Sequence, residues 1–256
     1  VLYGDGAGAS GIVYTDTVTV GGTYFDLQAV QSAVQVSEAI SADTFSSGIL
    51  GMANGGANTV RPTPQRTYIE NISNQLVQPL FTVNLQKGRP GNYNFGYINK
   101  AEFQGPLQYT PINLESPFWE VVISGYQVGA TGESRARPWR AVVDTGTTLV
   151  LIEDDIANDY YSQIPGAGFD EFIGMYVVPC NAQLPDFYFT IDSYKGRVPG
   201  NYINYSPATE TKCYGGLQSN EGMDVSIIGD VLIKAQFVVF DLGREAVGFA
   251  NKPTLA

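Results

Sequence analysis

A short apolar pair closed by glycine occurs twice in the chain, as Gly48-Ile49-Leu50-Gly51 and as Ser226-Ile227-Ile228-Gly229. Each is followed by a Phe-led run, Phe81-Thr82-Val83 and Phe237-Val238-Val239. Each half then closes on an aromatic and a glycine, Phe95-Gly96-Tyr97 and Val247-Gly248-Phe249. Elements recurring in one order restrict the chain to two halves of a shared topology. The pieces are of strand type, because β-branched and aromatic residues suit a pleated surface. With 29 glycines in 256 residues, turns are frequent enough to separate many short strands, which makes the chain all-β.

Gly11–Val20 and Thr23–Val30 read as a hairpin around Gly21-Gly22. Gly48–Gly51 reads as a short strand. Pro64–Leu76 reads as a helix, with Pro near the start and Tyr68, Ile69, Ile72 and Leu76 on one face. Leu80–Leu85 and Asn94–Ile98 follow as strands. Around Ala101–Pro106 the pattern restarts, placing one lobe at 1–100 and a second at 101–256. The second lobe carries strands at Leu107–Ile112, Trp119–Val128, Ala141–Ile152, Phe187–Ile191 and Ser226–Gly229. Asp154–Ile164 reads as a helix and Asp230–Ala235 as a shorter one. Phe237–Asp241 and Val247–Ala250 close the chain as strands.

Acidic residues outnumber basic ones 25 to 14, giving a net charge of −11, and there is no histidine. Nucleic acid is excluded as a partner for want of basic clusters. Without histidine the chain cannot build a Ser-His-Asp or Cys-His centre, or a His-based metal site. Few bases also mean little charge build-up when carboxylates protonate, which is compatible with work in acid. No apolar run approaches membrane-spanning length, so no membrane partner is expected. Cys180 and Cys213 are too few for a four-cysteine zinc site; their spacing suits one disulfide closing about 30 residues, worth about 3 kcal/mol. Asn71-Ile72-Ser73 and Asn204-Tyr205-Ser206 are glycosylation sequons, the second weakened by Pro207. Disulfide and sequons together favour a secreted, extracellular or vacuolar compartment.

The stretch with chemical content is Ala141-Val142-Val143-Asp144-Thr145-Gly146-Thr147-Thr148-Leu149-Val150-Leu151-Ile152. A buried strand delivers a carboxylate to a tight turn and a second strand leaves it. Burying a charge is costly unless partners satisfy it. Gly146 permits close backbone approach, and the hydroxyls of Thr145, Thr147 and Thr148 supply donors. An Asx-turn, in which the Asp merely bonds its own backbone, is the plainer alternative. In the repeat, Gly229 follows this turn by roughly 80 residues, and the same distance before Gly51 falls about 30 residues ahead of Val1. A second Asp-Thr-Gly is therefore expected in a segment preceding Val1.

These motifs, spread from end to end, resemble those of pepsin-family aspartic endopeptidases, the fungal branch in particular. Tyr3-Gly4-Asp5-Gly6 resembles the tip of the flap hairpin that closes over substrate, and Gly11–Val20 its return strand. Asp144-Thr145-Gly146-Thr147-Thr148 resembles the catalytic turn of the C-terminal lobe. Ile49-Leu50-Gly51 and Ile227-Ile228-Gly229 resemble the segments packed beneath each catalytic turn. Cys180 and Cys213 resemble the family's C-lobe disulfide. The resemblance implies a bilobal acid-protease fold: residues 1–100 are the remainder of the N-terminal lobe and 101–256 the complete C-terminal lobe, with roughly the first 75 residues lying outside this sequence.

The resemblance also implies a reaction: hydrolysis of peptide bonds at acidic pH by water activated between two aspartates, of which this chain supplies Asp144. Two nearby carboxyls cannot both ionise, so one serves as base and the other as acid. No metal or cofactor is implied. Thr145, Gly146, Thr147 and Thr148 are expected to support the carboxylate, with Thr147 hydrogen-bonding it. Tyr3, Gly4 and Asp5 are expected to hold substrate from above. Ile40, Ile49, Val150 and Ile228 are expected near the substrate, and Ile40, where fungal relatives carry an aromatic, would leave a roomier subsite. The implied partners are a peptide or protein substrate and the N-terminal segment bearing the second aspartate, the complete protein being a monomer. Two alternatives stand beside this reading: a non-catalytic pepsin-like binding protein or inactive fragment, and a homodimer in which each chain supplies one Asp144.

Overall fold

Glycine sets the turn of the long hairpin. Gly21 takes a φ of 57°, which closes the hairpin between strands β1 (Ala9–Val20) and β2 (Thr23–Val36). The computed structural model describes residues 1–4 and 6–253 and divides them into two compact units. The first comprises 1–79 and 115–118, the second 80–114 and residues from 119 on.

In the first unit β1 and β2 pair antiparallel, and a short helix α1 (Glu38–Ala42) follows. The helix expected over Pro64–Leu76 is shorter, α2 (Tyr68–Ile72), extended by a 3-10 turn at Ser73–Gln75. Glu70 explains the late start: its carboxylate accepts the Thr67 N–H at 2.8 Å, so the chain enters the helix at Thr67 rather than at Pro64. Tyr68, Ile69 and Ile72 are buried, and the hydroxyls of Tyr68 and Thr23 lie 2.8 Å apart, docking α2 on β2. Gly48–Gly51 forms no strand, contrary to its sequence. Ile49 is 70% exposed and Leu50 42%, and without a strand on either side the segment has nothing to pair with.

The second unit is built of strands β3 (Leu80–Asn84), β4 (Asn92–Phe95), β5 (Gln104–Pro111), β6 (Glu120–Ile123), β7 (Gly125–Val128), β8 (Ser134–Arg135), β9 (Trp139–Val143) and β10 (Val150–Ile152). After helix α3 (Asp154–Ser162) come β11 (Gly168–Asp170), β12 (Met175–Pro179), β13 (Phe187–Ile191) and β14 (Tyr194–Val198). A single helical turn α4 (Gly200–Ile203) leads to β15 (Asn204–Pro207), β16 (Lys212–Gly215), β17 (Leu217–Ser219) and β18 (Ser226–Ile228). Helix α5 (Asp230–Ile233) then precedes β19 (Gln236–Asp241) and β20 (Ala246–Asn251). The strands form sheets in the orders β4-β3-β19-β20-β5, β17-β10-β18-β9-β6, β11-β12-β16-β15 and β14-β13-β7-β8.

All six residues of β19 are buried, as a central strand covered on both faces requires. Phe237 and Val239 pack with Leu80 and Ala250 over Phe103, Leu107 and Tyr109. Phe240 stacks on Phe81 at 4.6 Å, and Trp119 meets both rings edge-on. Trp119–Val128, expected as one strand, breaks at Ser124. Its N–H and hydroxyl both donate to Thr190 O at 2.8 Å, which sends β7 to β13 while β6 stays with β9. The expected restart at Ala101–Pro106 falls at the beginning of β5, an edge of the sheet centred on β19.

Candidate active site

β9 and β10 carry the Asp-Thr-Gly turn between them, and β18 holds both. β18 runs parallel to β9, with Ile228 beside Val143, and antiparallel to β10, with Ile227 beside Leu151. The apolar residues before and after the turn therefore enter one sheet, which leaves residues 144–149 looped out at the ends of its inner strands. Three main-chain bonds fix the loop: Asp144 N–H donates to Ile228 O at 3.0 Å, Asp230 N–H to Thr147 O at 2.8 Å, and Val231 N–H to Thr148 O at 3.0 Å. Gly229 is required here. A Cβ on it would lie 2.2 Å from Leu149 O and 2.5 Å from Thr147 O, inside van der Waals contact with rigid backbone.

Asp144 is half-buried and both of its carboxylate oxygens are engaged. Oδ1 accepts the Gly146 N–H at 2.8 Å, and Oδ2 accepts the Thr147 hydroxyl at 2.7 Å. A charge-assisted pair of this length fixes the plane of the carboxylate. The Thr145 side chain stands beside the hydroxyl of Tyr93 in β4. Thr148 is exposed. Val150 and Ile228, expected against substrate, are fully buried. The flanking strands draw them into the core, so they carry the turn rather than line a groove.

Sequence reasoning passed over Asp230. It follows Gly229 directly, so the glycine that supports the turn also brings a second carboxyl close to Asp144. Burial pushes the Asp230 carboxyl above the usual carboxylate range; Lys234, 3.1 Å away, draws it back, and the charge of Asp144 adds to the rise. Its Oδ1 is buried with no hydrogen-bond partner among the described residues. Tyr93 feels the same two acids, and burial pushes its hydroxyl above the ordinary phenol range. The only sequence signal for Asp230 was adjacency to the repeated apolar-apolar-Gly.

The remaining expected residues lie in the first unit. Tyr3 and Gly4 form a tight turn: Tyr3 N–H donates to Ala7 O at 2.8 Å, and Leu2 bridges Gly8. Asp5 lies outside the described residues. Ile40 is half-buried in α1, and Ile49 is exposed. Cys180 and Cys213 are bonded, 33 residues apart, joining the end of β12 to β16. Both sequon nitrogens are engaged: Asn71 Nδ2 donates to Gln28 Oε1 and Asn204 Nδ2 to Cys180 O, each at 2.9 Å. Among the described residues no group of acids and cysteines is arranged to hold a metal ion, and no helix is long and apolar enough to cross a membrane.

The sequence profile of the family "Eukaryotic aspartyl protease" matches residues 1–252. Penicillopepsin-1 of Talaromyces stipitatus is 46% identical over 250 residues, covering 98% of this chain and 64% of the relative. Aspergillopepsin-1 of Aspergillus flavus is 45% identical over 252 residues, covering 98% and 62%. The chain thus spans slightly under two thirds of the length of these curated relatives. The crystal structure of an aspartic proteinase from Irpex lacteus superposes with a TM-score of 0.82 at 25% identity, covering 98% of this chain and 80% of that one.

Proposed function

Because the chain belongs to the eukaryotic aspartyl protease family and has its pepsin-like all-β fold, we propose that it is the larger part of an acid endopeptidase in which Asp144 is one of two catalytic carboxyls. The observation that carries the reading is the fixed carboxylate: one N–H and one O–H hold its two oxygens, on a turn anchored by three main-chain bonds. Such a group is oriented before substrate arrives, as positioned acid–base catalysis requires. Peptide hydrolysis needs a base for the attacking water and an acid for the scissile carbonyl, and two carboxyls sharing a proton supply both. Asp230 does not take the second role in this reading, because Lys234 is its ion-pair partner. The second carboxyl belongs to a further segment of the same protein, outside these 256 residues.

Two observations support that segment. The relatives are longer than the match, and one face of the β1–β2 hairpin is apolar and open, with Ile12, Tyr14, Val30 and Val34 between 38% and 68% exposed. Exposed apolar surface of this kind marks a place where further protein packs. The substrate is a peptide or protein, and Tyr3, Gly4, Asp5, Ile40 and Ile49 keep in this reading the substrate-binding role that the family resemblance gives them. The disulfide suits a secreted or vacuolar protein, and the complete protein acts as a monomer.

The test is peptide cleavage by the full-length gene product at acidic pH, with Asp144→Asn as control. The expected outcome is cleavage that the D144N substitution abolishes and that a statine-type inhibitor blocks. A full-length protein that neither cleaves peptide nor binds the inhibitor overturns the proposal in favour of a non-catalytic binding protein.

A further inference from the structure

Lys252 lies just past the end of β20, and its ammonium is turned inward. It donates to three main-chain carbonyls, those of Leu85, Ile233 and Lys234, the last at 3.0 Å. Burial lowers its pKa from 10.5 to about 7, while Glu102 raises it and Arg89 lowers it. Holding a cation there is costly, so the site is not explained by solubility. The three donors of the ammonium meet three acceptors, so the buried cation is fully engaged.

Two of the acceptors stand at the C-terminal end of α5, where carbonyls have no partner within the helix. The third lies just beyond β3. Lys252 therefore ties the end of α5 to the ends of β3 and β20. At its other end α5 holds the Asp144 turn, through Asp230 N–H to Thr147 O and Val231 N–H to Thr148 O. From Thr147 one further bond, at 2.7 Å, reaches Asp144. Only a four-residue helix separates the clamp from these amides, and so short a helix has little rigidity of its own.

We propose that Lys252 is a positioning residue for Asp144, fixing from behind the helix whose first two amides hold the turn. The inference rests on the reading of Asp144 as catalytic. Lys252 touches neither substrate nor Asp144; it acts through α5.

The test uses the full-length protein with Lys252→Met, Lys252→Gln and Lys252→Arg, assayed near pH 4, where the ammonium is fully present. K252M is expected to lower kcat roughly three- to tenfold, with KM within about twofold, and K252R to restore most of the loss. Hydrogen exchange gives a second readout that does not depend on activity. In K252M the Asp230 and Val231 amides should exchange roughly tenfold faster, while those of β7 and β13 stay as in the wild type. K252Q supplies the same comparison if K252M does not fold. Unchanged exchange at Asp230 and Val231 overturns the inference, as does faster exchange with unchanged kcat, or K252R as impaired as K252M. An inactive wild-type protein removes the catalytic role for Asp144 and with it this inference; the exchange data then show separately whether the clamp holds the turn.

Discussion

Replacing Thr147 by valine isolates one bond in the site. Valine keeps the β-branched shape, and the main-chain bond from Asp230 N–H to Thr147 O does not depend on the side chain. What is lost is the 2.7 Å hydrogen bond from the hydroxyl to Asp144 Oδ2. A hydrogen bond to a charged group contributes about 1.5–3 kcal/mol. Thr147 and Asp144 are both half-buried, so water replaces part of the loss and the lower end applies. About 1.5–2 kcal/mol corresponds to a fall of roughly 10- to 30-fold in kcat. The loss should appear in kcat rather than KM, because the hydroxyl orients the carboxylate and does not grip the substrate. The assay is initial-rate cleavage of a fluorogenic peptide at acidic pH by the full-length protein, with Thr147→Ser retaining the donor. A T147V enzyme within twofold of wild type at unchanged Tm would refute the reasoning, and so would T147S as impaired as T147V.

Gly229→Ala should destabilise the second unit by at least about 3 kcal/mol, since the new Cβ meets two backbone oxygens that cannot move aside; an unchanged denaturation midpoint would contradict it. For Asp230→Asn the sign follows from burial. The folded carboxyl ionises less readily than the unfolded one, so the stability Asp230 contributes is present below its ordinary value of 3.8 and lost as pH rises through the raised folded value. D230N should therefore gain in Tm against wild type between pH 3 and pH 6, and a Tm difference that stays flat or falls would count against a buried, hard-to-ionise Asp230. Reducing the Cys180–Cys213 bond, which closes 33 residues, should cost about 3–4 kcal/mol, read as a shift in urea midpoint between oxidised and reduced protein.

The Asp144 turn was legible because its signal is local: β-branched runs on both sides, a glycine, and hydroxyls in register. The β1–β2 hairpin was legible for the same reason, through Gly21-Gly22. What was not legible depends on partners distant in the chain. Ser124-Gly125 is a breaker pair inside an apolar run, but only the bonds to Thr190 O show that the strand divides there between two sheets. Tyr194–Val198 alternates buried and open positions, but Lys195, Gly196 and Arg197 mask the apolar face. Asp230 reads as an ordinary helix-start acid until the sheet places it near Asp144.

The repeated apolar-apolar-Gly shows the limit most clearly, because the same local pattern has two outcomes. Ile227-Ile228-Gly229 lies between β9 and β10, buries Ile228 completely, and needs its glycine because two carbonyls crowd against it. In Ile49-Leu50-Gly51 both apolar side chains are exposed, and a Cβ on Gly51 would meet nothing within 4 Å. A glycine kept where nothing approaches, beside large apolar residues open to solvent, is what a supporting segment looks like apart from the turn it supports. On the proposed reading that turn bears the second carboxyl, and the contacts that crowd Gly229 are the ones its partner would bring to Gly51. The same local pattern is therefore a buried strand in one half and an exposed segment in the other, and only the strands that flank it decide which.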